Sequence, residues 1–282
     1  MSESPHRVAS NWEARIFIEG VGAAERRLEI TPVIAGWEEL SFRTYTFRAG
    51  QVIDGESAAD EMCMVLLSGS VTMEVAGEGV AERWELARPG GVFDDPPCAV
   101  YLPPDHTYTM TVHADADCAY GRAPAEGTKP PRLIPPDDGL SRIGMIQEGH
   151  DRYQHLHVVL EPGDAERLTC TETITPDGGW AHWPQERHAP LDRVAASLTN
   201  EVNYYRVDEE GGYGLQRLGT LDPERDGVVI VEHGEAVMVR HGSYPVAASP
   251  TSRLWALSFR AGAASGVTVR ADAEPSSEAA DE

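Results

Sequence analysis

The residues whose types and spacing could do chemistry cluster in the second half of the chain. In the run Thr173-Ile-Thr-Pro-Asp-Gly-Gly-Trp-Ala-His-Trp-Pro-Gln-Glu-Arg-His188, Glu186 and His188 are separated by one residue. The segment is expected to be extended, and alternate residues of an extended chain point to one face, so the two side chains can converge. Glu201 follows at the head of the next strand-like run, Asn200-Glu-Val-Asn-Tyr-Tyr-Arg206. An imidazole and two carboxylates from neighbouring strands make a shell of hard and borderline donors for one divalent metal ion, manganese, iron or zinc. The competing reading is a set of solvated charges on a hairpin, because an E-x-H pair with a distant Glu also arises by chance. His155 and His157 form an H-x-H on another strand-like run, but nothing downstream pairs with them at a recognisable spacing. They read as strand-face histidines, and His106, His113, His150 and His233 lie near loops.

Positioning such residues falls to β-structure. Helical periodicity is scarce, whereas short runs rich in Val, Ile, Leu, Thr and Tyr recur between Gly, Pro and Asp clusters. Met62-Cys-Met-Val-Leu-Leu67, Ser70-Val-Thr-Met-Glu-Val75, His155-Leu-His-Val-Val-Leu160 and Arg253-Leu-Trp-Ala-Leu-Ser-Phe259 are examples. This texture predicts an all-β sandwich or barrel. Residues 124–140, PAEGTKPPRLIPPDDGL, concentrate Pro, Gly and Asp and fit a connector. On each side a strand pair leads to a glycine turn (Leu67-Ser-Gly69, Gly212-Tyr-Gly214) and later to a proline-bearing strand end. The expectation is a duplicated β-sandwich: an N-terminal domain over 10–125, a linker over 126–144 and a C-terminal domain over 145–265 that carries the site. The small, acidic residues of 266–282 predict a disordered tail.

Composition narrows the partners. With 46 acidic against 23 basic residues the net charge is −23, which repels nucleic acid and anionic membrane and leaves a small-molecule substrate as the expected partner. Lys129 is the sole lysine, so the positive charge is arginine, the side chain best shaped to bind a carboxylate through two hydrogen bonds. Cys63, Cys98, Cys118 and Cys170 are scattered without a C-x-x-C pair and read as small buried residues. The sequence shows neither a membrane-length apolar run nor a signal-peptide pattern, and the expected location is cytoplasmic.

Several short pieces resemble the 5-deoxy-glucuronate isomerase family of inositol catabolism, which is related to the 4-deoxy-threo-hexosulose-uronate isomerases of pectin breakdown. In the first half these are Leu66-Leu-Ser-Gly69 and Val92-Phe-Asp-Asp-Pro-Pro-Cys-Ala-Val-Tyr-Leu-Pro103, followed by Ala123-Pro-Ala125 and Ile134-Pro-Pro. In the second they are Thr175-Pro-Asp-Gly-Gly-Trp180, Asn203-Tyr-Tyr-Arg206, Gly212-Tyr-Gly-Leu-Gln-Arg217 and Gly242-Ser-Tyr-Pro-Val246. The resemblance covers about residues 35–265. It implies a bicupin, two tandem cupin β-sandwich barrels with the functional site in the second. The family's metal site reads H-x-H, then Glu, then a His in a G-Y-H-P-V turn. Those positions are occupied here by Glu186, His188, Glu201 and Tyr244, so two of four ligands differ.

The implied reaction is an aldose–ketose isomerisation of a sugar acid through an enediolate. A metal on Glu186, His188 and Glu201 would polarise the carbonyl, and Glu201 or Glu186 would carry the proton. Arg187, Arg206 and Arg217 are candidates to clamp the substrate carboxylate, Tyr205 to bond its hydroxyls, and Tyr244 to face the same cavity. Without a metal, Glu186 and Glu201 would form a like-charged pair. Two other readings stay open: a repurposed bicupin enzyme, whether another isomerase, a lyase or a cyclase, and a metal-free small-molecule binder. Exposed sheet edges predict a homodimer or larger homo-oligomer.

Overall fold

The computed structural model describes residues 8–9, 25–136, 141–145, 153–161, 163–181, 200–218, 227–239 and 245–262. In the first half the strands are β2 (Glu25–Ile30), β3 (Ser41–Phe47), β4 (Val52–Glu56), β5 (Asp60–Gly77), β6 (Val80–Arg88), β7 (Cys98–Leu102), β8 (Thr107–Pro124) and β9 (Arg132–Ile134). They pair antiparallel in the order β2-β3-β8-β5-β7-β9, with β4 added on β8 and β6 on β5. The long strands β5 and β8 run through both layers of the half. The bend in β5 falls at Ser68-Gly69-Ser70, where the register against β8 shifts. Gly69 has φ +91°, and a Cβ there would lie 2.2 Å from the carbonyl oxygen of Asp115, so the bend requires glycine. The expected turn at Leu67-Ser-Gly69 is therefore a bulge inside one strand, and the two runs at 62–67 and 70–75 are its two arms.

A single helix, α1 (Pro32–Ala35), interrupts the strands described. The hydroxyl of Thr31 accepts from the Ile34 amide at 3.3 Å at its start, and Gly36 ends it in the left-handed region. No helix among the described residues is long and apolar enough to cross a membrane.

The second half supplies β10 (Ser141–Met145), β11 (Tyr153–Leu160), β12 (Leu168–Thr175), β13 (Trp180–Ala181), β14 (Asn200–Val207), β15 (Gly214–Leu218), β16 (Gly227–Val231), β17 (Ala236–Val239), β18 (Val246–Ala248) and β19 (Leu254–Ala261). One sheet has the order β1-β17-β14-β19-β12-β11-β10, where β1 (Val8–Ala9) comes from the start of the chain; the other has the order β13-β18-β15-β16. The segment expected to link the halves carries β9, paired with β7, and opens β10, paired with β11.

Strand alternation divides the apolar side chains into three clusters. On β5, Met62, Met64 and Leu66 join the interior of the first half. The intervening Cys63, Val65 and Leu67 face the second half, in a core shared with Leu160, Tyr204, Trp255 and Phe259. Burial on both faces explains why this run reads as continuously apolar. The third cluster, with Tyr205, Val207, Val237, Val246 and Leu254, fills the second half. Between the halves, Phe42 lies 5.7 Å from Tyr204 and 5.9 Å from Phe259, ring centre to ring centre. The Phe259 ring packs against Gly121, where a Cβ would approach it to 2.3 Å.

Two buried polar joints tie the halves. Arg88 donates from both terminal nitrogens to Glu172, each at 2.8 Å, and both side chains are 1% exposed. Arg88 also donates to the carbonyls of Leu66 and Asp95, while the Trp255 indole donates to Glu172 at 3.1 Å. Glu61, fully buried, accepts from the Tyr101 hydroxyl and from the amides of Glu166, Arg167 and Leu168, all within 2.8 Å. Each buried charge thus meets donors or acceptors on most of its lone pairs or protons, which offsets its desolvation.

Candidate active site in the second barrel

Strand β14 presents different residues to two environments. Val202 and Tyr204 enter the core between the halves, while Tyr205 and Val207 enter the interior of the second barrel. By the same period of two, Glu201 and Asn203 share the interior face with Tyr205. The neighbouring strand β19 pairs Arg260 with Glu201, Ser258 with Asn203 and Ala256 with Tyr205. The interior wall is therefore a ladder of polar rungs that turns apolar with depth.

The rungs are specific contacts. Glu201, 5% exposed, pairs with Arg260 through both oxygens: Nη2 donates to Oε1 at 3.2 Å, and Nε lies 3.0 Å from Oε2 as an ion-pair contact. Ser258 donates its hydroxyl to Asn203 Oδ1 at 2.5 Å. The Tyr205 hydroxyl crosses the barrel to Gln216 Oε1 on β15, at 2.8 Å. Asn203 and Gln216 are both buried, and their amide nitrogens, Nδ2 and Nε2, have no acceptor among the described residues. Leaving such a donor buried and unmade costs about 1–3 kcal/mol, so the pair marks the interior as a place where acceptor oxygens belong. Thr173 and Thr175 on β12 share this face through their register with Ala256 and Leu254, and both are buried.

The Glu201–Arg260 rung stands at the start of β14 and the end of β19, beside Val239 at the end of β17. Glu186, Arg187, His188 and Tyr244 lie outside the described residues.

The remaining expected residues divide. Glu201 and Tyr205 share the interior, as their spacing implies. Arg206 is turned the other way and is not placed to clamp a substrate there. Its Nη2 donates to Asp117 Oδ2 of β8 at 2.9 Å, and its guanidinium lies 5.9 Å from the centre of the Tyr204 ring. It lines a cleft of about 470 Å³ between the halves, with Thr44, Thr46, Asp117, Tyr204 and His233. Burial lowers the Arg206 pKa, but the neighbouring Tyr204 and Asp117 more than reverse this and hold it raised. Arg217 is exposed on the face of β15 opposite the buried Gln216, so it too points away from the interior. His157 pairs in register with Glu172, on the side of β12 that faces the first half.

Four contributors escaped the sequence reading: Asn203, Gln216, Ser258 and Arg260. The first was legible, because it lies two residues beyond Glu201 on a strand. The others required the pairing of β14 with β19 and the layer that places β15 opposite.

The resemblance implies a divalent cation at these positions, and the one implied ligand among the described residues already faces a cation. Glu201 is the expected ligand that lies within the described residues, and each of its oxygens is engaged by a cationic guanidinium. No group of three His, Cys, Asp or Glu side chains among the described residues could hold a metal ion.

Comparison with known proteins agrees with this architecture. The model of the KduI/IolB family matches residues 18–276. The 5-deoxy-glucuronate isomerase of Geobacillus thermodenitrificans is 32% identical over 239 residues, spanning 83% of this chain and 84% of that protein. Among solved structures, an IolB-like protein from Salmonella typhimurium superposes with a TM-score of 0.73 at 24% identity, covering 90% and 92% of the two chains. A Bacillus subtilis oxalate decarboxylase with Mn(II) centres reaches 0.60 at 8% identity, covering 92% and 78%. The structural likenesses carry the fold, which is all-β and of cupin type. The full-length match, the expected motifs and a barrel with Glu201 on its inner wall converge: the chain belongs to the KduI/IolB family.

Proposed function

We propose that this protein is an intramolecular isomerase of a sugar acid, of the 5-deoxy-glucuronate isomerase kind, and that the second barrel does the chemistry. The observation that carries the reading is Glu201: a carboxylate on the inner wall, fixed by Arg260, with the amide donors of Asn203 and Gln216, which have no acceptor among the described residues, on the same interior. In an aldose–ketose shift a base takes the proton from the carbon beside the carbonyl. The electron pair left behind moves into an enediolate; the hydroxyl proton shifts from the neighbouring oxygen to the former carbonyl oxygen, and the abstracted proton returns to the former carbonyl carbon as the new carbonyl forms beside it. Glu201 is the base and then the acid. The two-point contact with Arg260, one hydrogen bond and one ion-pair contact, fixes the direction in which its oxygens point, which is the requirement for a proton moved over a short distance. The amides of Asn203 and Gln216 donate to substrate oxygens, and Tyr205 holds Gln216 in the orientation that leaves its N–H groups facing inward. Burial makes each of these donors stronger toward a developing negative charge than it would be in water.

The test is turnover of 5-deoxy-glucuronate followed by proton NMR, with wild type and Glu201→Gln side by side. Loss of about 10²–10⁴-fold in kcat by a folded variant is the expected result. Equal turnover by the two proteins would refute the assignment. Saturable binding of the sugar acid by a wild-type chain that never turns it over would favour a metal-free binder.

Two properties accompany this reading. The four cysteines are free and buried, which supports a reducing, cytoplasmic setting. Trp180, Val228 and Ile230 are exposed on the small sheet of the second half, and they support association into a homo-oligomer. A light-scattering mass equal to one 30.7 kDa chain at micromolar concentration would count against the latter.

A further inference from the structure

We propose that Arg260 stands in for a divalent metal in the second barrel, holding Glu201 as a cation would and leaving the oxyanion to the amides of Asn203 and Gln216. This rests on the isomerase reading above and deepens it. The carboxylate that the family resemblance assigns to a metal receives a guanidinium on both oxygens, at 3.0 and 3.2 Å. A two-point contact fixes the plane of the carboxylate as well as its position, which a monodentate metal bond does not. It also places a permanent positive charge where a dication would have to approach. Like charges a few ångströms apart in a poorly screened interior repel strongly, so the same carboxylate does not serve both.

The geometry around the pair agrees. Arg260 comes from β19 and Glu201 from β14, adjacent strands in direct register, so neither side chain has to leave its strand to make the contact. The Arg260 side chain is 26% exposed, at the end of the barrel where β14 begins. Deeper on the same wall stand Asn203 and, across the barrel, Gln216, with buried amide nitrogens that lack acceptors among the described residues. A metal-dependent isomerase polarises the substrate oxygen with its cation. Here two preorganised amides point into the interior, and donors of that kind stabilise an oxyanion. The changes at Glu186 and Tyr244 point in the same direction, since they remove two imidazoles from the expected ligand set.

The experiment measures metal rather than turnover. Full-length wild type and Arg260→Met are purified without chelator, analysed for bound metal by mass spectrometry and titrated with Mn²⁺ by calorimetry. Wild type is expected to carry far less than one metal per chain. Arg260→Met is expected to bind Mn²⁺ at least tenfold more tightly, because the carboxylate is released, and adding Glu201→Gln to it should abolish the gain. Arg260→Gln, which keeps a polar side chain of similar reach, serves if the Met variant does not fold. Stoichiometric metal in wild type, or no gain in Mn²⁺ affinity in either folded Arg260 variant, overturns the proposal. These readouts use no substrate. A chain that behaves as expected yet fails to isomerise 5-deoxy-glucuronate would refute the function reading and leave the role of Arg260 in place.

Discussion

Removing the charge of Glu172 tests the joint between the halves. Glu172→Gln changes one oxygen to NH₂ and leaves Arg88 buried with no counter-charge, since both side chains are 1% exposed. The amide cannot be satisfied in either orientation. One carboxylate oxygen accepts from Arg88 alone and the other from both Arg88 and the Trp255 indole, so the new NH₂ faces a donor whichever way it is placed. Breaking a buried ion pair from one side costs about 3–5 kcal/mol. At roughly 2–4 °C per kcal/mol for a domain of 150–250 residues, Tm should fall by about 10 °C. Urea unfolding, followed by the fluorescence of Trp255 and its fellow tryptophans, gives the free energy directly. The double variant Arg88→Met/Glu172→Leu should recover most of the loss, because it removes both charges and keeps the volume. A cost below about 1 kcal/mol for the single variant, or a double variant as unstable as the single, would show that the pair is not the joint described.

Other expectations follow from the same contacts. Tyr205→Phe leaves Gln216 Oε1 buried without its donor; the cost should be about 1–3 kcal/mol in urea unfolding, and an unchanged stability would contradict the rung. Burial pushes the Cys98 thiol up to about 11 against the pull of Arg88, and burial likewise raises Cys118 and Cys170. A disulfide reagent at pH 8 should therefore label fewer than one thiol per native chain and all four in urea, and rapid labelling of the native protein would refute the burial. Asp115 is held below its ordinary value by the amide of Ala49 and then by Arg48. A carboxyl depressed in the folded state contributes stability that is complete above about pH 4 and disappears as pH falls through the folded value. Asp115→Asn should thus flatten the decline of Tm below pH 4, and parallel declines in the two proteins would count against the contact.

The strand texture made the fold class legible, because periods of two and punctuation by Gly and Pro are local properties. What escaped was a consequence of pairing. Gly69 reads as a turn in sequence, yet β8 supplies a partner on both sides of it, and the chain continues as one strand. Arg206 and Arg217 were chosen by type and proximity to the site motifs. Alternation alone would have rejected Arg206 once Glu201 and Tyr205 were assigned inward, since a neighbour on a strand faces the other way. Rejecting Arg217 required Gln216 to be known as an interior residue, which rests on its bond to Tyr205 across the barrel. Arg260 could not be found by motif, because its role exists only in the register that sets β19 beside β14.

The joint between the halves has a direction. One side brings the guanidinium of Arg88 and the carboxylate of Glu61; the other brings Glu172 and the row of amides at Glu166, Arg167 and Leu168. Two copies of the first half set face to face would lack both Glu172 and the row of amides, and two copies of the second would lack both Arg88 and Glu61. Mispairing therefore carries the cost of uncompensated buried ions, whereas the correct mating satisfies them all. A chain cut between β9 and β10 would yield fragments that select each other over themselves. The peptide connection then adds proximity to a recognition already encoded in the surfaces, and each barrel is free to diverge without inviting self-pairing.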